Sequence, residues 1–249
     1  MMAFYCVGNW KMNKSPLEAT DFCSQLKTKT SPEERPHLII LPSPILSQAV
    51  SGELKSSGIS WGGQNCYYEN RGAFTGETSP EILQTMGAQY CLVGHSERRQ
   101  IFLEGDELLA KKMKSLQMLG ITPILCVGET LDDRKWNRTE EVVLRQLREG
   151  LSQTDLSKPV WIAYEPVWAI GTGQVATVEQ VHAVHDLIRK YLVETTGSTG
   201  TMTPILYGGS VKPDNASDLS EIKNVNGFLI GGASLNVAEF LLIYRNSKK

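Results

Sequence analysis

Three side chains able to handle a proton or steady a negative charge lie far apart in the chain. Each stands just beyond a short apolar run: Lys11 in GNWKMN, His95 in VGHSERR and Glu165 in VWIAYEPVWAIGTG. Glu165 is a candidate base at the tip of an apolar segment that reads as a buried strand. Pro166 follows it and cannot extend a strand ladder. Val167–Ile170 then makes a short apolar flap, closed by Gly171-Thr172-Gly173, as expected of a lid that keeps water from a reactive site. His95 precedes the helix-like stretch Ser96–Gln100. A helix N-terminus disfavours imidazolium and keeps the ring neutral. Lys11 lies two residues past Asn9 between Trp10 and Met12, a setting less suited to an idle solvated lysine. Gly208-Gly209-Ser210 and Gly231-Gly232-Ala233 are glycine-rich turns whose backbone N–H groups could hold a phosphate.

These groups need a frame to bring them together. Short apolar runs occur at Phe4–Val7, Leu38–Leu41, Ile59–Trp61, Tyr90–Val93, Thr122–Val127, Val160–Tyr164, Pro204–Tyr207 and Gly227–Ile230. Helix-like segments follow them in turn: Pro16–Lys27, Ile45–Ser56, Pro80–Met86, Asp106–Leu119, Thr139–Leu151, Thr177–Val193, Asp214–Leu219 and Val237–Tyr244. Ser15-Pro16, Ser43-Pro44 and Ser79-Pro80 each put a cap residue before a proline suited to a first helical turn. Eight strand–helix units without a linker or composition break predict an α/β fold of one domain over residues 1–249, a closed (β/α)8 barrel. The rival is an open doubly wound sheet. In a barrel, chemistry belongs at the C-terminal strand ends, where Asn9, Lys11, His95, Glu97, Glu165 and both glycine turns fall.

Composition narrows the function. The 249 residues carry 25 Lys+Arg against 27 Asp+Glu, a net charge of −2, with no long block of one sign. Nucleic-acid and membrane partners therefore gain no support. No leader-like opening and no apolar run of about 18 residues is present, and the five cysteines form no CxxC pair. A reducing cytoplasm is the expected location.

Other patterns carry less. Gly171 to Ala176 fits G-x-G-x-x-[GA], but six residues separate Tyr164 from Gly171, so the turn is not the tight one a dinucleotide needs. His182 and His185 at i,i+3 near Glu179 read as a solvated helix face, with no second helix to complete a metal site. Asn137-Arg138-Thr139 and Asn215-Ala216-Ser217 match the glycosylation pattern by chance in a cytoplasmic chain. Residues 64–79 have neither a helical nor a strand period and carry Ala73-Phe74-Thr75 between Gly72 and Gly76. Such a loop either docks its apolar tip into a partner or is a mobile surface loop.

The motifs together resemble the triosephosphate isomerases. GNWKMN, QNCY with GAFTGE, VGHSERR, ILCVGE, AYEPVWAIGTG, YGGSV and GFLIGGASL stand in that family's order and spacing over essentially the whole chain. The resemblance implies a TIM barrel and a cytoplasmic isomerase of glycolysis and gluconeogenesis, working without metal or cofactor. It would interconvert dihydroxyacetone phosphate and D-glyceraldehyde 3-phosphate through an enediolate. By that likeness Glu165 is the base, His95 a neutral electrophile, Lys11 an electrostatic stabiliser, Asn9 an amide donor and Glu97 a nearby acid. Backbone N–H groups at Gly171, Ser210, Gly231 and Gly232 would hold the phosphate under a lid spanning 166–176. The family is usually a homodimer, so loop 64–79, with Thr75 near its tip, would reach the partner's site near Asn9 and Lys11. The lid's rear hinge departs from the family, which often has Lys-Thr-Ala where this chain has Gln174-Val175-Ala176. Two other functions compete. One is a non-catalytic binding protein on the same barrel, the other a nicotinamide oxidoreductase resting on the Gly171–Ala176 match.

Overall fold

A computed structural model describes residues 2–170 and 175–247. Eight strands form in chain order: β1 (Tyr5–Asn9), β2 (Leu38–Leu41), β3 (Ser60–Gly63), β4 (Tyr90–Val93), β5 (Thr122–Val127), β6 (Trp161–Tyr164), β7 (Ile205–Tyr207) and β8 (Gly227–Ile230). All pair in parallel with their neighbours, and Tyr5–Gly8 align with Gly227–Ile230, so β1 closes on β8. That last ladder decides between barrel and open sheet.

Helices surround the barrel: α1 (Pro16–Lys29), α2 (Ser47–Leu54), α3 (Pro80–Thr85), α4 (Ser96–Gln100), α5 (Asp106–Met118), α6 (Leu131–Lys135), α7 (Thr139–Gly150), α8 (Val178–Thr196), α9 (Ser198–Met202), α10 (Ala216–Glu221) and α11 (Val237–Ser247). Among the described residues, none is long and apolar enough to cross a membrane. Side-chain caps set several starts. Ser15 accepts from the Glu18 N–H while Glu18 reaches back to the Ser15 N–H, and Thr177 and Gln180 repeat this reciprocal pair on α8. Ser79 caps α3 through the Ile82 N–H. Ser43-Pro44 behaves differently from expectation. It opens a 3-10 turn, Pro44–Leu46, without a side-chain cap, and α2 starts only at Ser47.

Strand alternation divides the core in two. On β5, Ile124 and Cys126 join Val7, Ile39, Leu41 and Leu92 inside the barrel, while Leu125 and Val127 face the helices. The lumen is a packed plug, so the C-terminal rim rests on a solid floor. Fully burying each of these aliphatic side chains contributes about 1.5–3 kcal/mol.

One helix-face reading is corrected. His185 is not solvated; it is fully buried on α8, its ring near Tyr164 and Tyr207. His182 does sit outside, 3.4 Å from Asp186. Among the described residues no three His, Cys, Asp or Glu side chains cluster as a metal site would need.

Candidate active site

The rim residues meet in one cavity of about 290 Å³, lined among others by Asn9, Lys11, His95, Glu165, Ser210, Gly231 and Gly232. Asn9 is the last residue of β1 and is almost fully buried. Its Oδ1 accepts the Lys11 N–H at 3.0 Å. Lys11 has φ 52°, a left-handed conformation unusual for a lysine. Gln64 helps hold it there, donating from Nε2 to the Lys11 and Leu41 carbonyls at 2.9 Å each. The ammonium thus turns back over the rim and meets Glu97 Oε1 at 2.5 Å.

His95 occupies the N-cap of α4. Its Nδ1 accepts the Glu97 N–H at 3.2 Å, which leaves Nε2 to carry the proton of a neutral ring. Nε2 stands 3.0 Å from Glu165 Oε1. Glu165 follows β6 and is nearly fully buried. Its Oε2 accepts the Ser96 N–H at 2.9 Å, and Ser96 Oγ lies 3.4 Å from Oε1. Gly128, after β5, makes room for it, since a Cβ there would lie 1.7 Å from the Glu165 carbonyl oxygen.

Burial works against charge on both groups, and their mutual attraction works for it. For Glu165, burial pushes the pKa up, but His95, the Ser96 N–H and Lys11 together bring it below the ordinary carboxylate value. For His95, burial pulls down, while the Glu165 and Glu97 carboxylates outweigh it and hold the ring above its ordinary value. The upward pull and the neutral tautomer disagree. The Nδ1 hydrogen bond decides for the neutral ring, because Nδ1 can accept only without a proton. The upward pull comes first from Glu165 and then from Glu97.

The turn that follows Pro166 is anchored from behind. Val167–Ala169 forms a 3-10 turn. Trp168 Nε1 donates to Glu129 Oε1 at 2.9 Å, and Glu129 also takes the Tyr164 hydroxyl at 3.2 Å and Arg134 at 2.8 Å. Ser210 Oγ donates to the Ala169 carbonyl at 3.0 Å, tying the turn after β7 to the turn Val167–Ala169.

Comparisons with known proteins fit this geometry. The family model described as triosephosphate isomerase matches residues 4–247. The chain belongs to the triosephosphate isomerase family. A triosephosphate isomerase of Bdellovibrio bacteriovorus is 49% identical over 232 residues, 93% of this chain and 95% of that one. One from Endomicrobium trichonymphae is 44% identical over 243 residues, 97% of each. The crystal structure of triosephosphate isomerase from Bartonella henselae superposes with a TM-score of 0.91 at 35% identity, covering 100% of both chains.

As a triosephosphate isomerase family member the chain is an isomerase on a TIM barrel. Of the residues expected at the site, Asn9, Lys11, His95, Glu165, Ser210, Gly231 and Gly232 line the cavity, and Glu97 touches it through Lys11. Gly171 and Gln174 lie outside the described residues, so of the expected lid 166–176 only 166–170 and 175–176 are described. The dinucleotide-like stretch falls largely on the same gap. Several groups were given no role in the sequence reading. Ser96 holds Glu165 through its backbone N–H. Glu129 holds Trp168 of the turn after Pro166, and the strand-end rule that finds Glu165 would have found it just beyond β5. Glu104 braces α4 from below, pairing with Arg98 at 2.5 Å and with the buried Lys112 at 2.7 Å, which also reaches Asn65.

Proposed function

We propose that this isomerase interconverts dihydroxyacetone phosphate and D-glyceraldehyde 3-phosphate. The observation that carries the reading is the meeting of the Glu165 carboxylate, the His95 Nε2–H and the Lys11 ammonium at one cavity of about 290 Å³. Glu165 takes the proton from the hydroxyl-bearing carbon. That C–H pair becomes the new carbon–carbon double bond, and the carbonyl π pair moves onto oxygen. A proton beside a carbonyl is too weakly acidic for a carboxylate in water, so the developing enediolate needs stabilisation. The Nε2–H now facing Glu165 Oε1 would turn to that oxygen, with Lys11 and the Asn9 amide beside it. Glu165 then returns its proton to the neighbouring carbon, while His95 Nε2 gives its proton to the former carbonyl oxygen and takes the proton of the other hydroxyl, so that the first oxygen ends as hydroxyl and the second as carbonyl. Atoms and charge balance without metal or cofactor.

To reach substrate carbon, Glu165 has to leave the Ser96 N–H and His95. This exchange also settles the ring. Once the carboxylate departs, the main upward pull on His95 goes with it, and burial with the Glu97 N–H keeps the imidazole neutral. The triosephosphate isomerases are a well-known case of a neutral histidine at such a site, so this is not peculiar to the present chain. Backbone N–H groups at Gly171, Ser210, Gly231 and Gly232 would hold the phosphate. Binding energy at that end would support proton transfer at the other.

The same reading makes the chain a cytoplasmic homodimer. Residues 64–79 form an ordered loop closed by Tyr67 N–H to the Thr78 carbonyl at 2.8 Å, with Tyr67 and Phe74 packed 4.5 Å apart between ring centroids. Thr75 stands exposed at its tip. A second cavity of about 290 Å³ shares Asn9, Lys11 and His95 with the first and is bordered by exposed Met12 and Phe102. The Thr75 tip of a second copy would enter it, covering an apolar rim that a monomer leaves wet.

A coupled assay on glyceraldehyde 3-phosphate tests the function. Turnover that nearly survives Glu165→Ala would remove Glu165 as the base, and no turnover in clean recombinant protein would favour a binding protein on this barrel.

A further inference from the structure

Ser234 is fully buried beneath the rim and makes no contact with the reacting carbons in the mechanism above. It lies in the 3-10 turn Gly232–Leu235 that follows β8. Both of its donors converge on one acceptor. Ser234 Oγ donates to the Gly231 carbonyl at 2.7 Å and Ser234 N–H to the same oxygen at 2.9 Å. The chain has no cis peptide bonds among the described residues, so the Gly231 carbonyl and the Gly232 N–H point to opposite sides of one planar unit. Drawing the carbonyl into the turn therefore turns the Gly232 N–H outward, on the side where Gly231 and Gly232 line the cavity.

The seat for Ser234 is shaped to match. Gly8 of β1 lies directly under it. A Cβ built at Gly8 would be 3.1 Å from Ser234 Cβ and 3.4 Å from Oγ, so a side chain there would press the serine off its place. Gly232 has no atom within 4 Å of where its own Cβ would be, so its outer face is open to a ligand.

We propose that Ser234 is a positioning residue for phosphate: its hydroxyl fixes the Gly231–Gly232 peptide so that the Gly232 N–H is aimed at the dianion before substrate arrives. This rests on the isomerase reading of the cavity. The hydroxyl never touches substrate. It sets the angle of a donor that does, which lowers the cost of ordering that donor on binding.

The test compares substrates with and without the phosphate. In Ser234→Ala the backbone hydrogen bond remains and the hydroxyl one is lost, a change of about three- to tenfold for one neutral hydrogen bond. The inhibition constant for inorganic phosphate should rise by that factor. The ratio of kcat/KM for glyceraldehyde 3-phosphate to that for unphosphorylated glyceraldehyde should fall by it. A merely structural lesion lowers both substrates together and leaves the ratio alone. Gly8→Ala keeps the hydroxyl but displaces it, and should move both readouts the same way. A ratio and a phosphate constant within twofold of the parent in both variants overturn the proposal. Should Ser234→Ala fail to fold, Gly8→Ala alone decides by the same criterion. Failure of the isomerase reading looks different, because the parent itself would then show no turnover.

Discussion

His185 offers a quantitative check on how the helical shell is packed against the barrel. Its Nδ1 lies 3.1 Å from the Asn224 carbonyl, so the neutral ring donates there, and its Nε2 is buried without a hydrogen-bond partner among the described residues. A proton added to Nε2 would face apolar surroundings and the neighbouring Arg189. Burial, first, brings the pKa from 6.5 to about 4. The unfolded chain binds a proton near pH 6.5 while the folded chain refuses it until about pH 4. Stability from this residue is therefore full above pH 6.5 and is lost as pH falls toward 4. Between pH 7 and pH 5 the difference between the two binding curves comes to about 2 kcal/mol. His185→Asn keeps an N–H for Asn224 but cannot titrate. Denaturant unfolding of both proteins, at one protein concentration and at pH 7 and 5, should show the parent losing about 2 kcal/mol more than the variant. Equal losses, within about 0.5 kcal/mol, would refute the buried neutral histidine.

Other expectations concern the site and its supports. Glu165→Asp withdraws the carboxylate by one methylene and should cost about a hundredfold or more in kcat, and an unchanged kcat would contradict the close proton transfer. Because the His95 Nε2–H, the Ser96 N–H and Lys11 outweigh burial and keep Glu165 below the ordinary carboxylate value, Glu165, the proposed base, stays ionised as pH falls through that value. The acid limb of kcat/KM should accordingly lie below the limb of an unperturbed glutamate, and a limb above it would count against this pairing. Lys112→Met leaves Glu104 buried with only Arg98 and should cost about 3 kcal/mol in unfolding, read as a lower Tm. Thr75→Arg should turn a sedimenting dimer into monomer and lower kcat by about tenfold or more. A parent that sediments only as monomer at micromolar concentration removes the dimer.

Much of the barrel was legible because its strands are buried on both faces and read as unbroken apolar runs. Tyr90–Val93, Thr122–Val127 and Gly227–Ile230 have the same limits in sequence and structure. The run at Phe4–Val7 stopped short, because Gly8 and Asn9 look like loop residues. Their backbones nevertheless pair with Ile40 and Leu41, since a ladder needs only main-chain groups. The side chains that line the cavity were legible through one rule, that chemistry is expected where barrel strands end. What stayed hidden was contact across the chain. Nothing local in Ser96 says that its N–H will meet a carboxylate 69 residues away. His185 looked solvated because a polar residue beside another polar residue mimics an outer face. Glu104 and Lys112 look like ordinary helix charges until α4, α5 and the root of loop 64–79 close around them.

The left-handed turn at Lys11 ties two properties together that are usually treated apart. Gln64 is the first residue of the outstretched loop, and with one amide group it clasps the main chain of that lysine. A pull on the loop is therefore felt at the ammonium within a single link. In the proposed homodimer, subunit dissociation and loss of catalysis should then be one event, so that an isolated subunit would be a poor enzyme and not half of a good one.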